Sequence, residues 1–253
     1  MILKRFILVS LLIITFLLAG ILTGCDRKDQ EIVVFSGKGL MKPMEDVKLG
    51  FENKYKDIQV NIIYGGSETL LETLKKTKKG DVFIPGSISH IQEAGDLVLS
   101  HQHVAQHKPV FSVRKDNPYK IKSLEDLLNP GVKIAIGNKE MCAIGKVSED
   151  IFEASPRRND FINNIAITAT TVNELLDLVL QEEVDASLIW SEMSLWPEAK
   201  DLLMIEIPPD INKVEEIHIA VLATTKSRKN AVLFSDFVAK ESQSIFIKHG
   251  FGE

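Results

Sequence analysis

Several chemistries leave no trace in this sequence. It has no Gly-x-Ser-x-Gly elbow, no HExxH pair, and no Walker or dinucleotide fingerprint. Ser67 has no histidine placed by a recognisable motif to activate it, and pairs such as Glu182-Glu183 and Glu215-Glu216 adjoin loops or strand starts and suit solvated faces. No block of Lys and Arg is interleaved with aromatics, and the net charge is −5, so nucleic acid is not an expected partner. No low-complexity tract is present. An enzyme is therefore not expected, and no cofactor is called for.

What is present begins at the N-terminus. Lys4 and Arg5 precede an apolar run over 6–22 that only Ser10, Thr15 and Gly20 interrupt, the parts of a secretory signal. The exit, Leu22-Thr23-Gly24-Cys25, resembles the bacterial lipobox, in which the cysteine is lipidated and becomes the new N-terminus. The competing expectation is an uncleaved anchor helix. Either way the remainder lies outside the cytoplasm, tied to a membrane surface. Asp26 looks like the enterobacterial signal for staying at the inner membrane. Residues 1–24 would then be the signal and 25–30 a tether. Removing 1–24 leaves 253 − 24 = 229 residues and, with Lys4 and Arg5 gone, a formal charge of −7. Cys142 is then the sole free thiol, so no intrachain disulfide forms and an ordinary core must hold the fold.

The exported part opens with two similar units. EIVVFS over 31–36 reads as a strand, Gly37-Lys38-Gly39 as a turn, and 40–55 as a helix with Met44, Val47 and Phe51 on one face. A strand over 57–64 then breaks at Gly65-Gly66. Ser67 stands as N-cap, with Thr69 and Glu72 as an alternative capping box. Leu70, Leu71 and Leu74 make a stripe, Lys75, Lys76, Lys78 and Lys79 sit at the negative end, and Gly80 terminates the helix. A strand, a glycine turn and a helix start make a cradle for an oxyanion, because free N–H groups converge there. Plain capping by Ser67 is the simpler alternative.

Strands are expected over 81–85, 108–114, 132–136, 165–170, 186–190, 203–207 and 217–223. Helices are expected over 87–96, 147–153, 172–181, 231–240 and 242–249. The alternation predicts α/β lobes with mainly parallel sheets.

The segments IVVFSGKGL, YGGSETLL, GDVFIPGS, SLEDLLNPGVKIAIG, CAIGK, TVNELLDLVLQEEVDASLIW and IFIKHGFGE, taken in order, resemble the molybdate-binding family of periplasmic solute-binding proteins. That family supplies the receptor of a molybdate or tungstate ABC importer. The resemblance implies a type II-like fold of two α/β lobes joined by two hinge-crossing strands, here about 109–113 and 217–223. One lobe would be 31–110 plus 218–253 and the other 111–217. It further implies a monomeric receptor that docks on an ABC permease and holds a tetrahedral oxyanion through Gly39, Ser67, Ile144, Val172 and Trp190. Gly39 falls where the family usually has a serine, and Trp190 where it has a tyrosine. Ile144 and Val172 would act through backbone N–H groups, so their apolar side chains are no obstacle. The hydroxyl missing at Gly39 would be replaced only if Ser36 or Lys38 moved in. Glu68 is expected to point outward, away from a dianion. Cys142 lies near the site, where a small buried apolar role competes with a ligand role.

Two rival functions stay open. His101, His103 and His107 in SHQHVAQH, with Glu68 and Cys142, could serve a metal-cation receptor, although His-rich exposed loops are usually solvated. An anion-sensing or adhesive lipoprotein would share the same cleft.

Overall fold

The computed structural model describes residues 31–252. The secretory segment, Cys25 and the tether lie outside the described residues. The strands are β1 (Glu31–Gly37), β2 (Gln59–Gly65), β3 (Val82–Ile84), β4 (Val98–His107), β5 (Pro109–Arg114), β6 (Ile134–Gly137), β7 (Ile165–Ala169), β8 (Ala186–Trp190), β9 (Leu202–Glu206) and β10 (Glu215–Leu222). The α-helices are α1 (Met41–Lys54), α2 (Ser67–Thr77), α3 (Ile88–Ala94), α4 (Ala143–Ala154), α5 (Arg158–Asn164), α6 (Val172–Leu180), α7 (Arg228–Asp236) and α8 (Gln243–Lys248).

They assemble into two five-stranded sheets, ordered β2-β1-β3-β10-β4 and β7-β6-β8-β5-β9. The sheets are mixed, not mainly parallel. In each, two neighbouring pairs run parallel and two antiparallel. The cause is an exchange of chain between them. The edge strand β4 of the first sheet leads into β5, which enters fourth place in the second. The edge strand β9 of the second leads into β10, which enters fourth place in the first. The chain therefore crosses at Lys108 and again over residues 207–214.

Alternating residues place apolar surface on both faces of the first sheet. Ile32 and Val34 join one buried cluster with Met44, Val47 and Phe51 of α1, while Phe35 joins another with Leu70, Leu71 and Leu74 of α2. The second sheet has one large core. There Ile144, Val147, Ile151 and Phe152 of α4 and Leu175, Leu176 and Val179 of α6 supply stripes at helical spacing.

Four local expectations change. The SHQHVAQH segment is strand β4, paired antiparallel with β10, not a loop. Its polar residues mark an edge strand; a register shift between the Ala105 and His103 pairings breaks the alternation, and His107 is buried while His101 and His103 are exposed. Helix α4 starts at Ala143, four residues before the apolar periodicity suggested. Helix α5 was not anticipated. Helix α2 stops at Thr77, with Lys78 left-handed at φ 52°, before Gly80 is reached.

Phe51 is fully buried, with its ring edge-on to Phe234 at 5.0 Å and to Phe237 at 5.4 Å. Phe51→Ala is expected to cost about 3–5 kcal/mol, measured as a fall in unfolding free energy by urea denaturation. A change below about 1 kcal/mol would mean this face of the first sheet is not packed as described.

Candidate functional site

The parallel strands decide where the site lies. β1 and β2 are in register from Glu31↔Gln59 to Gly37↔Gly65, so the turns that follow them stand side by side. In the second sheet Gly137 of β6 pairs with Ala169 of β7, which likewise brings two βα turns together. Ligand crevices in open α/β sheets form outside such carboxyl ends. Here the two sets of turns face each other across one cavity, lined among others by Gly39, Ser67, Ile144, Val172 and Trp190. The space open to the centre of a water-sized atom is about 20 Å³. A sphere of that volume has a radius of about 1.7 Å, on the scale of a bond from central atom to oxygen in a tetrahedral oxyanion.

Each turn aims a helix start at this space. In α2 the first intrahelical bond runs from Leu70 N–H to Gly66 O at 3.0 Å, so the N–H groups of Ser67, Glu68 and Thr69 have no intrahelical acceptor. In α6 the Thr171 side chain accepts from Glu174 N–H and the Thr171 carbonyl from Leu175 N–H, leaving those of Val172 and Asn173. In α4 the Gly145 N–H bonds to Cys142 O, leaving those of Ala143 and Ile144. A 3₁₀ turn over Lys38–Leu40 leads into α1 with no side-chain cap bond at Gly37; the bond that closes it runs from Met41 N–H to Lys38 O, and i→i+3 pairing gives the Gly39 N–H no acceptor within the turn. Each such start carries roughly half a positive charge. The cavity lining contains no carboxylate.

Ser67 is not the cap of α2. Gly66 holds that position, with no side-chain cap bond, and the Ser67 hydroxyl instead accepts the Gly86 N–H at 3.0 Å. A hydroxyl that accepts in this way keeps its own proton free to donate. Trp190 occupies the room that a side chain at position 39 would need. A Cβ on Gly39 would stand 3.2 Å from Trp190 Cδ1, 3.2 Å from Val172 Cγ1 and 3.5 Å from Trp190 Nε1. The glycine and the larger indole are thus one steric solution. Gly66 marks the meeting of the lobes, since a Cβ there would run into the carbonyl oxygens of Met141 and Thr170.

The remaining expected residues divide. Lys38 lines the cavity. Ser36 does not. It is fully buried and its hydroxyl donates to Gly37 O at 3.3 Å, so it cannot replace a hydroxyl at Gly39. Cys142 lines the wall, but its thiol faces the carbonyls of Asn138 and Ala169, and burial pushes its pKa up to about 11. It is a small packed thiol, not an anion donor or a reactive thiolate. Glu68 points away from the cavity, its carboxylate 2.8 Å from Lys146 Nζ and 3.3 Å from His90 Nε2. Lys146 also reaches Glu93 at 2.6 Å, so one α4 lysine grips two first-lobe carboxylates. Lys42 of α1 does the reverse, reaching Glu198 at 2.6 Å.

Among the described residues no cluster of three or more His, Cys, Asp or Glu is arranged to hold a metal ion. His101 and His103 lie against His218, outside the cavity lining. His107 alone of that segment lines the cavity, and sequence reasoning placed it in a metal set instead. Gly86 was missed, although Pro85-Gly86-Ser87 at the end of β3 is a turn signal. So was Thr171, whose place before VNELL is that of an N-cap.

Two lobes that bring helix N-termini together around a small cavity make an arrangement suited to holding a small ligand. Residues 32–252 match the family described as bacterial extracellular solute-binding protein, and the chain belongs to it. A binding protein of Haemophilus influenzae is 28% identical over 235 residues, covering 91% of this chain and 94% of the relative. The molybdate-binding protein ModA of Mycobacterium tuberculosis is 24% identical over 228 residues, covering 88% and 85% respectively. Among solved structures, the sulfate-binding protein SubI of M. tuberculosis superposes with a TM-score of 0.77 at 19% identity, covering 88% of this chain and 86% of its own. The chain is thus a solute-binding protein of the kind that serves ABC importers. No helix among the described residues is long and apolar enough to cross a membrane.

Two histidines make stability depend on pH. Burial is the main cause that lowers the pKa of His90, with Lys146 adding to it. Burial also leads at His218, where His101 and His103 add and the Glu216 hydrogen bond opposes. Both rings take a proton near pH 6.5 in the unfolded chain and at lower pH in the folded one. The unfolded state therefore binds more protons as pH falls, so stability is full above that value and is lost as pH drops through the folded values. Melting temperature is expected to fall between about pH 7.5 and about pH 5.5, and to fall less steeply in a His90→Gln/His218→Gln variant. Parallel profiles for the two proteins would refute the assignment.

Proposed function

We propose that this chain is the receptor of an ABC importer for a fully ionised tetrahedral oxyanion, molybdate or tungstate, which it encloses between its lobes. One observation carries the reading: four helix starts, two from each sheet's βα turns, present N–H groups without intrahelical acceptors to one cavity of about 20 Å³ whose lining has no carboxylate. Gly39, Ile144 and Val172 would donate through the backbone, Ser67 through its hydroxyl and Trp190 through its indole N–H. Lys38 stands at the same wall as a cation. A dianion with four oxygens satisfies such a set without bringing a proton of its own. An anion that retains a hydroxyl would need an acceptor, and the lining offers it no carboxylate, which favours fully ionised guests.

Because the donors come from both lobes, a bound anion stabilises the arrangement in which the lobes touch. That arrangement would dock on the permease. In this reading residues 31–110 plus 218–253 move as one lobe against 111–217. Cys25 carries the lipid that keeps the monomeric receptor at the outer face of the cytoplasmic membrane.

A thermal-shift panel of molybdate, tungstate, sulfate, phosphate and divalent metal chlorides tests the reading. Molybdate and tungstate are expected to raise the melting temperature by several degrees at about a hundredfold excess over Kd, equivalent to about 2.7 kcal/mol. A shift by a metal cation alone would overturn it, and a shift by sulfate alone would overturn the choice of anion. Ser67→Ala is expected to weaken the anion by about 1–3 kcal/mol in calorimetry, the cost of a missing buried partner. Unchanged affinity would remove Ser67 from the site.

A further inference from the structure

His107 lines the cavity, yet it aims no donor into it. The residue ends β4, one position before the chain crosses to the second sheet, and is 3% exposed. Its Nε2 lies 2.6 Å from the Gly86 carbonyl oxygen, so that nitrogen carries a proton and donates it. Its Nδ1 lies 3.1 Å from Glu192 Oε1, and the Glu192 side chain is fully buried. One ring face lies against Trp190, with centroids 3.6 Å apart and planes at 15°. Both nitrogens and that face are occupied, so any effect on a guest passes through the groups that His107 holds.

Those groups are two of the donors. Gly86 accepts from His107 through its carbonyl and gives its own N–H to the Ser67 hydroxyl. The Gly86 N–H occupies one side of that oxygen, which decides where the remaining hydroxyl proton can point. Trp190 lies on the imidazole and has little freedom to tilt. Glu192, two residues past Trp190, belongs to the segment that follows β8 of the second sheet, whereas Ser67 and Gly86 follow strands of the first. A single connected line, Glu192 to His107 to Gly86 to Ser67, therefore joins the two lobes beside the cavity.

We propose that His107, anchored by Glu192, is a positioning residue that aims the Ser67 hydroxyl and seats the Trp190 indole, so that donor alignment is tied to lobe contact. This rests on the oxyanion reading above. Calorimetry with tungstate, or with molybdate or sulfate if wild type binds that instead, is run on wild type, Ser67→Ala, His107→Phe and the double variant. His107→Phe keeps a flat ring against Trp190 but removes both hydrogen-bonding nitrogens. It is expected to weaken binding about tenfold or more, and the double variant to bind no more weakly than about threefold below the weaker single. His107→Gln, whose amide can still donate to Gly86, is expected to recover most of the affinity. Multiplicative losses in the double variant, or failure of the glutamine to recover binding, would overturn the proposal and leave the oxyanion reading standing. Binding of none of the three anions by wild type would overturn both. If His107→Phe does not fold by circular dichroism, Glu192→Ala takes its place in the same cycle, with the same non-multiplicative loss expected and multiplicative loss again counting against it.

Discussion

The first N–H groups of a helix need an acceptor, and the rest of this molecule is arranged around that need. Helices ordinarily meet it with a side-chain cap or with water. Here Gly66, Cys142 and Gly37 stand at cap positions and give no side-chain cap bond, while Thr171 caps only the Glu174 amide. The unspent donors face one another over a volume no larger than a small ion. In the proposed reading this makes ligand and closure a single event, since neither lobe alone can surround the guest.

Glycine lets the backbones come close enough. Gly39 leaves room for the indole of Trp190, and Gly66 lets the α2 turn meet the Met141 and Thr170 carbonyls directly. Around this contact charged side chains are sorted by distance from the cavity. Glu68, one residue from Ser67, is drawn off to Lys146 and His90, so the carboxylate nearest in sequence serves the rim instead of opposing an anion. Pairs such as Lys42 with Glu198, which join residues of the two lobes at the surface, add little energy individually.

Much of the architecture was legible because period and punctuation agree. Leu70, Leu71 and Leu74 at helical spacing, Gly-Gly before Ser67, and the apolar 186–190 run each correspond to an observed element. The failures have physical causes. β4 is polar because it is an edge strand, so composition suggested a loop. Helix α4 begins in CAIG, where small residues hide the period. Ser67 has the composition of an N-cap, but a cap bond is a matter of geometry, and Gly86, nineteen residues away, claims that oxygen.

From its residues alone the chain specified an α/β fold and two glycine-broken βα turns, because these depend on local spacing and backbone freedom, while its ordered run of motifs pointed to anion capture through their resemblance to a known family. Tertiary structure decided which hydroxyl is free, where each carboxylate goes, that Ser36 turns away, and that His107 reaches Gly86 and Glu192 at once. Those outcomes depend on contacts between residues far apart in sequence, across the place where the chain passes from one sheet to the other, and no local pattern records them.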